Sequence, residues 1–144
     1  LALGADGINM GSRFMCTVES CIHQNVKEAI VATDERGTEL IFRSLKNTAR
    51  VASNAVSREV VEILKGGGQF EDVKDLVAGV RGRKVFENGD IDAGIWTAGT
   101  VMGLIHDIPT CDELISRIVG EAEEIITGRL AQMVGAGEAE LAAV

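Results

Sequence analysis

A short glycine-rich segment near the start of the chain has the residue types of an anion-binding loop. Gly4 to Phe14 reads GADGINMGSRF, so the apolar run Ile8 to Met10 is followed at once by Gly11 and Ser12. Glycine lets an anion approach the backbone, a hydroxyl adds a donor, and the start of a following helix adds partial positive charge. The pattern fits a phosphate-binding loop, and it equally fits a glycine that ends a strand in a simple turn. Arg13 is expected to form a salt bridge or a capping contact rather than to touch a ligand.

The flanking residues predict the elements that would position this loop. Ile8 to Met10 has the length of a buried strand in a parallel sheet, and Gly4 before it is typical of the left-handed turn that ends a helix. From Val18 to Ile30, apolar residues recur at three- and four-residue spacing, which predicts an amphipathic helix with Lys27 on its polar face. A lone parallel strand needs partner strands. The chain is therefore expected to be cut from a longer one, within a helix that ends at Leu1 to Leu3.

The remaining sequence is mostly helical by pattern. Three further helices are predicted: Asn54 to Lys65, Glu71 to Glu87, and a last helix from the capping box of Thr110 and Glu113 to Leu130. Glycines at Gly66 to Gly68 end the first of these, and Asn88-Gly89 ends the second. Thr38 to Ser44 fits either a strand or a loop. The small residues of Ile91 to Ile105 would let its backbone approach a neighbour closely, and the pattern leaves open whether that neighbour is protein or ligand.

Composition restricts the class of protein. A chain of 144 residues with a net charge of −8 suits one globular domain and lacks the global positive charge of nucleic-acid binders. The basic cluster Arg81 to Lys84 is interpreted as a solvated helix face. No apolar run is long enough to span a bilayer and no signal peptide is visible, so a cytoplasmic protein is expected. Three cysteines with no C-x-x-C pair predict free, buried thiols and no metal site.

Several separated motifs occur in one order: GADGINMGSRF, CTVESCIH, RSLKNTARVASN and GDIDAGIWTAGTVMGLI. Together they resemble the carboxyl-terminal part of the flavin-dependent nitronate monooxygenases, formerly called 2-nitropropane dioxygenases. The resemblance runs from residue 1 to about residue 134. It implies a βα barrel that binds FMN and uses O2 to oxidise alkyl nitronates to carbonyl compounds and nitrite.

The resemblance also implies an α/β fold class and a division of the chain. Residues 1–36 would be the carboxyl-terminal end of a TIM-type (β/α)8 barrel, contributing its last strand and helix. Residues 37–109 would form a mainly helical lobe that covers the substrate. Residues 110–134 would be a helix that packs back on the barrel, and residues 135–144 a frayed tail.

Site residues follow from the same resemblance. Met10, Gly11 and Ser12 would hold the FMN phosphate through backbone N–H groups and the Ser12 hydroxyl, at a position where family members commonly carry threonine. Trp96 and Thr97 would belong to the substrate lobe, with Thr97 standing where a serine often faces the nitro group. The structural alternatives are a core anchor for Trp96 and a capping or packing role for Thr97.

No catalytic base is expected within this chain. The family's base is a histidine in the earlier half of the barrel, and neither His23 nor His106 has such surroundings, so both are expected to be surface or capping residues. Residues 1–144 alone should therefore bind FMN weakly or not at all and show no turnover. The expected partners are a small nitronate and O2; the sequence does not decide whether the protein forms a homodimer. Two alternatives stay open: a flavin-dependent enoyl-acyl-carrier-protein reductase of the second type, and a non-catalytic helical interaction module.

Overall fold

The computed structural model of the protein describes residues 3–133. These residues fall into two compact units, one that ends at Ile108 and one that begins at Pro109. The first unit contains five α-helices, two strands and a 3-10 helix: α1 (Ser12–Met15), α2 (Gln24–Val31), β1 (Thr38–Ile41), β2 (Ala49–Ala52), α3 (Ala55–Lys65), α4 (Phe70–Val73), α5 (Gly79–Asn88) and the 3-10 helix Thr100–Leu104. The second unit is one long helix.

Two hydrophobic clusters form the core of the first unit. The first core joins α1, α2 and α5 to the segment that contains the tryptophan: Cys16, Val26, Ile30, Ala52, Val85, Trp96, Ala98, Met102 and Ile105. The second core lies between the strands, α3 and α4: Ile41, Val51, Val56, Val60, Leu64 and Val73. Neighbouring residues of β2 therefore point into different cores, Val51 into the second and Ala52 into the first, as expected from the alternation of side chains along a strand.

The predicted strand Ile8 to Met10 is wrong in this structure, because these residues are irregular and the side chain of Ile8 is 69% exposed. Within residues 3–133, β1 and β2 form one antiparallel pair, with Thr38 opposite Ala52, and leave no neighbour for a parallel strand. Gly4 has the expected left-handed backbone, with φ of 89°. The helix end expected just before it falls partly on residues 1–2, which lie outside the described part of the chain.

The helix predicted from Val18 begins only at Gln24. Lys27, expected on the polar face, is instead buried, and its Nζ donates hydrogen bonds to the carbonyl oxygens of Thr17, Val18 and Ser20 at 2.7, 3.3 and 2.8 Å. These carbonyl groups converge on the ammonium instead of lining up along a helix axis, where each would accept from the N–H four residues later. This buried lysine therefore accounts for the loop that precedes α2.

The helix predicted over Glu71 to Glu87 is two helices, α4 and α5, separated by a turn. Leu76 and Val77 pack against the second core, whereas Val85 belongs to the first core. One periodic run of apolar residues thus serves two cores, and the chain must turn between them. The predicted end is confirmed, because α5 stops at Asn88 and Gly89 follows with a left-handed φ of 72°.

Both strands are short, and β1 lies within Thr38 to Ser44, so the first part of that segment is a strand rather than a loop. The connection from β1 to β2 carries two non-glycine residues in the left-handed region, Phe42 with φ of 60° and Lys46 with φ of 57°. Such a conformation costs about 1–2 kcal/mol per residue. It is held by hydrogen bonds from the backbone N–H groups of Leu45 and Asn47 to the carbonyl oxygen of Phe42.

The helix predicted over Asn54 to Lys65 is confirmed as α3, with Asn54 as its N-cap and Gly66 at its end. The last predicted helix is confirmed as α6 (Cys111–Glu124), which starts with the capping box of Thr110 and Glu113. It continues through a π-helical turn (Ile125–Leu130) to Met133. Its packing on a barrel stays a prediction, and the tail predicted over residues 135–144 lies outside the described residues.

Helix α5 runs unusually close to the segment 91–96, and glycine makes this approach possible. A Cβ at Gly82 would lie 2.7 Å from the carbonyl oxygen of Ile95, and a Cβ at Gly94 would lie 2.6 Å from the carbonyl carbon of Arg81. The small residues of this region thus allow protein backbone to approach, and the same is true of Gly103, which faces the backbone of Glu35.

Replacing Gly82 with alanine should lower the free energy of unfolding by about 1–3 kcal/mol, because the new methyl group overpacks α5 against Ile95. Gly79 in the first turn of the same helix is a matched control, since no atom lies within 4 Å of the position that a Cβ would take there. Gly79→Ala should stabilise the protein by up to about 1 kcal/mol through helix propensity. Urea unfolding of both variants tests this, and shifts of the same sign would contradict the close approach.

Candidate functional site

The structure brings the predicted phosphate loop next to the predicted substrate segment. Ser12 is the first residue of α1, and its Oγ accepts a hydrogen bond from the backbone N–H of Gly99 at 3.0 Å. The two residues are 87 positions apart in the sequence. The end of GIWTAG, Gly94 to Gly99, therefore lies beside the GSRF turn, as one site would require.

The backbone at Gly11 has the features of an anion cradle. Its carbonyl oxygen accepts from the backbone N–H groups of Phe14 and Met15, and these bonds begin α1. No atom of residues 3–133 lies within 4 Å of the position that a Cβ would take at Gly11. Among the residues that the structure describes, the backbone N–H groups of Gly11 and Ser12 have no hydrogen-bond acceptor. The Ser12 oxygen accepts from Gly99, so its own O–H proton can still be donated. Met10, the third predicted residue, precedes this turn and is half-buried.

Arg13 forms a salt bridge, as predicted. Its Nη1 lies 3.1 Å from Oδ1 of Asp107, and its Nη2 donates to the carbonyl oxygens of Cys16 and Asp107 at 3.1 and 3.0 Å. The side chain is only 12% exposed. Because Asp107 neutralises the guanidinium, attraction for an anion at this turn would come mainly from N–H groups and the hydroxyl.

Trp96 and Thr97 have different environments. Trp96 belongs to the first core, its Nε1 donates to the carbonyl oxygen of Ile91, and its own carbonyl accepts from Ala52. The structure thus shows Trp96 as a core anchor, and its predicted role in a substrate lobe is not tested by these contacts. Thr97 is exposed, two residues before Gly99, and is bridged to Val51.

A network of hydrogen bonds that the sequence did not indicate holds the segment that carries Trp96. The Nδ2 of Asn54 donates to the carbonyl oxygens of Ile91 and Gly94 at 2.7 and 2.8 Å, while its Oδ1 caps α3 through Ser57. Asp92 accepts from the backbone N–H of Ala55 at 2.7 Å. The only signal in the sequence was the preference for asparagine at a helix N-cap, which does not predict the long-range bonds.

The two histidines behave as predicted. The Nδ1 of His23 accepts a hydrogen bond from the backbone N–H of Asn25, so His23 is the N-cap of α2. His106 is exposed. The expectation that the catalytic base lies outside this chain stays a prediction.

The thiols are free, but the expectation that all three are buried is wrong, because Cys21 is exposed and Cys111 is partly exposed. Burial raises the pKa of the Cys16 thiol; nearby Arg13 lowers that pKa and Asp107 raises it, with Lys27 a smaller lowering influence. Cys16 therefore stays a neutral thiol within the first core. Within residues 3–133, no group of three or more histidine, cysteine or acidic side chains could hold a metal ion.

Two further predictions concern a basic cluster and membrane-spanning helices. In the cluster Arg81 to Lys84, Arg83 and Lys84 are exposed on α5, as predicted for a solvated helix face. For Arg81 the prediction is wrong, because its side chain is partly buried and its Nε donates to the carbonyl oxygen of Ala93 at 2.6 Å. Among the described residues, every helix is too short or too polar to cross a bilayer.

Comparison with known proteins supports one family. The family model described as nitronate monooxygenase matches residues 1–121. The (3aS,4S,5R,7aS)-5-hydroxy-7a-methyl-1-oxo-octahydro-1H-indene-4-carboxyl-CoA dehydrogenase of Rhodococcus jostii is 28% identical over 158 aligned positions, which cover 85% of this chain and 45% of that protein. The protein of the same name from Mycobacterium tuberculosis is 23% identical, over 85% of this chain and 44% of that protein.

Among solved structures, FabK from Thermotoga maritima superposes with a TM-score of 0.82 and 29% identity, over 91% of this chain and 41% of that one. A single-residue mutant of the same FabK gives a TM-score of 0.72 and 27% identity, over 91% and 38%. The chain thus spans less than half the length of these relatives. The match to the family model confirms the resemblance: the chain belongs to the nitronate monooxygenase family, whose members are flavin-dependent oxidoreductases of the TIM-barrel type.

Proposed function

We propose that this chain provides part of the FMN site of an enzyme that oxidises alkyl nitronates with O2 to a carbonyl compound and nitrite. The observation that carries the proposal is the hydrogen bond between Ser12 and Gly99, which joins the predicted phosphate loop to the predicted substrate segment. Membership of the nitronate monooxygenase family supports the reaction class.

The residues present suit a phosphate group. Within residues 3–133, the backbone N–H groups of Gly11 and Ser12 have no acceptor, and they lie with the Ser12 hydroxyl beside the open space at Gly11, just after Met10. In this proposal, α2 is the last helix of the barrel.

FMN would supply the redox chemistry by accepting electrons from the nitronate and passing them to O2. The chain's own contribution would be binding and orientation. Ser12 and the N–H groups would hold the phosphate, and the exposed Thr97 hydroxyl would donate to the nitro group of the substrate. Trp96 would support Thr97 from the core through its bonds to Ile91 and Ala52.

The likeness to FabK and to two CoA-ester dehydrogenases favours a second candidate. In it, the same flavin site would act on an acyl thioester with a nicotinamide cofactor, as in the flavin-dependent enoyl-acyl-carrier-protein reductases. Both candidates share the cradle, and they differ in the residue at the position of Thr97, where the reductases favour an apolar side chain. The presence of a hydroxyl at this position favours the nitronate reaction, because it can hydrogen-bond a nitro group.

The test uses the complete polypeptide that contains residues 1–144. A yellow protein with a flavin spectrum that releases nitrite from an alkyl nitronate in air would support the first candidate. Oxidation of a reduced nicotinamide without nitrite release would replace it with the second. Absence of any flavin after purification and reconstitution would contradict both and leave a non-catalytic module.

Ser12→Ala should weaken FMN binding by about 10- to 100-fold, because a hydrogen bond to a charged group contributes about 1.5–3 kcal/mol. Ser12→Thr keeps the hydroxyl and is the matched control, with an expected change of less than about threefold. Fluorescence titration of the apoprotein with FMN measures both. Equal affinities for the alanine variant and the wild type would remove Ser12 from the site.

A further inference from the structure

A cleft of about 750 Å³ opens between β1, the connection that follows it, and α3. It shares no lining residue with the turn of Met10 to Ser12 or with Gly94 to Gly99. The volume lies within the range of pockets that bind small molecules. The cleft is therefore a second place where a ligand could bind, separate from the proposed flavin site.

The cleft is rich in cations although the chain has a net charge of −8. Its lining contains four basic side chains, Arg43, Arg50, Arg58 and Lys65, and two acidic ones, Glu39 and Glu62. Both carboxylates are already engaged, since Glu62 pairs with Lys65 at 2.9 Å and Glu39 accepts from the Ser53 hydroxyl at 2.8 Å.

Three of the cations are guanidinium groups that have N–H donors left for a ligand. The Nη1 of Arg50 donates to the neutral Thr38 hydroxyl, and the Nη1 of Arg58 donates to the neutral Ser53 hydroxyl. Within residues 3–133, the ion pairs that the structure shows do not include Arg43, Arg50 or Arg58. A guanidinium carries five N–H donors in a planar fork that matches phosphate oxygens.

The main chain around Arg43 is constrained. Arg43 lies between Phe42 and Lys46, which both have left-handed φ, and its carbonyl oxygen accepts from the backbone N–H of Lys46 at 3.2 Å. Strained backbone of this kind clusters at ligand sites, where it pre-organises a contact. The connection thus presents one arginine at the edge of the cleft before any ligand arrives.

Apolar side chains form much of the remaining lining, alongside the hydroxyl groups of Thr38 and Ser44. Ile41, Val61 and Leu64 come from β1 and α3, and Phe42 adds one of the chain's five aromatic side chains. An aromatic ring and aliphatic surface can stack against a planar base, while the arginines contact phosphate. The lining therefore combines the two kinds of surface that a nucleotide needs.

We propose that the cleft between β1 and α3 binds a nucleoside polyphosphate, with Arg43, Arg50 and Arg58 contacting the phosphate groups. This ligand is distinct from the flavin and does not depend on the proposed reaction. A free diphosphate carries the same negatively charged groups, so the test must distinguish a nucleotide from a free diphosphate.

The experiment is calorimetric titration of the complete polypeptide, saturated with FMN, using ADP, inorganic pyrophosphate and adenosine as probes. ADP should bind without displacing FMN, pyrophosphate should bind more weakly than ADP, and adenosine weakest. Pyrophosphate as tight as ADP would show a phosphate site without base recognition and would overturn the nucleoside part. Adenosine as tight as ADP, or displacement of FMN by ADP, would overturn the whole proposal.

Two variants and a charge-matched control locate the site. Arg43→Gln and Arg58→Gln should each weaken ADP binding by about tenfold, since each removes a charge-assisted contact. Arg83→Gln removes the same charge from the exposed face of α5, outside the cleft, and should change affinity by less than about twofold. No ADP binding, or an equal loss in Arg83→Gln, would overturn the proposal. FMN content and turnover, measured in the same samples, report separately on the proposed function.

Discussion

Replacing Asn54 with alanine should lower the free energy of unfolding by about 2–3 kcal/mol. Loss of the N-cap accounts for about 1 kcal/mol, and the buried carbonyl oxygen of Gly94 loses its donor, at about 1 kcal/mol or more. The carbonyl oxygen of Ile91 loses one of its two donors and keeps the Nε1 of Trp96 at 3.3 Å. Asn54 is 4% exposed, so water cannot easily replace the amide. The segment that carries Trp96 and Thr97 should loosen as a result.

Thr110→Ala is the control for this effect. Thr110 is also the N-cap of a helix with a capping box, but its bonds stay local, to Glu113. Thr110→Ala should lower the free energy of unfolding by about 1 kcal/mol. Urea unfolding compares the two variants. If Asn54→Ala cost no more than Thr110→Ala, the long-range bonds to Ile91 and Gly94 would add nothing to stability.

Replacing Lys27 with methionine should lower the free energy of unfolding by about 3 kcal/mol. Methionine preserves much of the aliphatic stem, but the ammonium that bonds three carbonyl oxygens disappears. The carbonyl oxygens of residues 17–20 would then be buried without a donor, or the loop would have to open so that water could reach them. Each buried polar group without a partner costs about 1–3 kcal/mol. Limited proteolysis should show faster cleavage within residues 17–23, alongside the loss measured in urea.

Lys74→Met is the matched control for Lys27→Met. Lys74 is half-exposed and pairs with Glu71 three residues earlier on the surface, so its loss should cost less than about 1 kcal/mol. Equal stabilities of the two variants would mean that the ammonium of Lys27 does not organise the loop before α2.

The helices that the sequence predicted well are those whose periodic face meets one core and whose ends carry local signals. For α3, the apolar positions all point to the second core, and Asn54 and Gly66 mark its ends. The start of α6 was predictable for the same reason, through the capping box of Thr110 and Glu113. Caps act within one turn, so the sequence alone contains them.

The errors arose where distant parts of the chain decide the structure. The periodicity from Val18 could not show that the Lys27 ammonium would turn back onto the preceding carbonyls. The run from Glu71 could not show that Leu76 and Val85 would join different cores. The strand β2, with the sequence ARVA, has weak β-propensity and exists through its pairing with β1, so no strand was predicted there.

The sequence indicated candidate site residues, whose roles stay predictions, but it did not indicate how they would be brought together. Glycine and serine after an apolar run indicated Gly11 and Ser12, and the family motifs indicated Trp96 and Thr97. Nothing in the spacing indicated that Ser12 would bond Gly99 or that Arg13 would pair with Asp107, because both contacts join segments far apart in the sequence. The supporting role of Asn54 was hidden for the same reason.

The proposed flavin site depends on Gly11 and Ser12 holding the phosphate of FMN. The most direct measurement is the affinity of the complete polypeptide for FMN and for riboflavin, which lacks the phosphate, in the wild type and in Ser12→Ala. The wild type should bind FMN at least about 100-fold more tightly than riboflavin, and Ser12→Ala should reduce that ratio by about tenfold or more while leaving riboflavin binding nearly unchanged. Equal affinities for the two flavins, or a ratio that Ser12→Ala leaves unchanged, would contradict this role of Gly11 and Ser12.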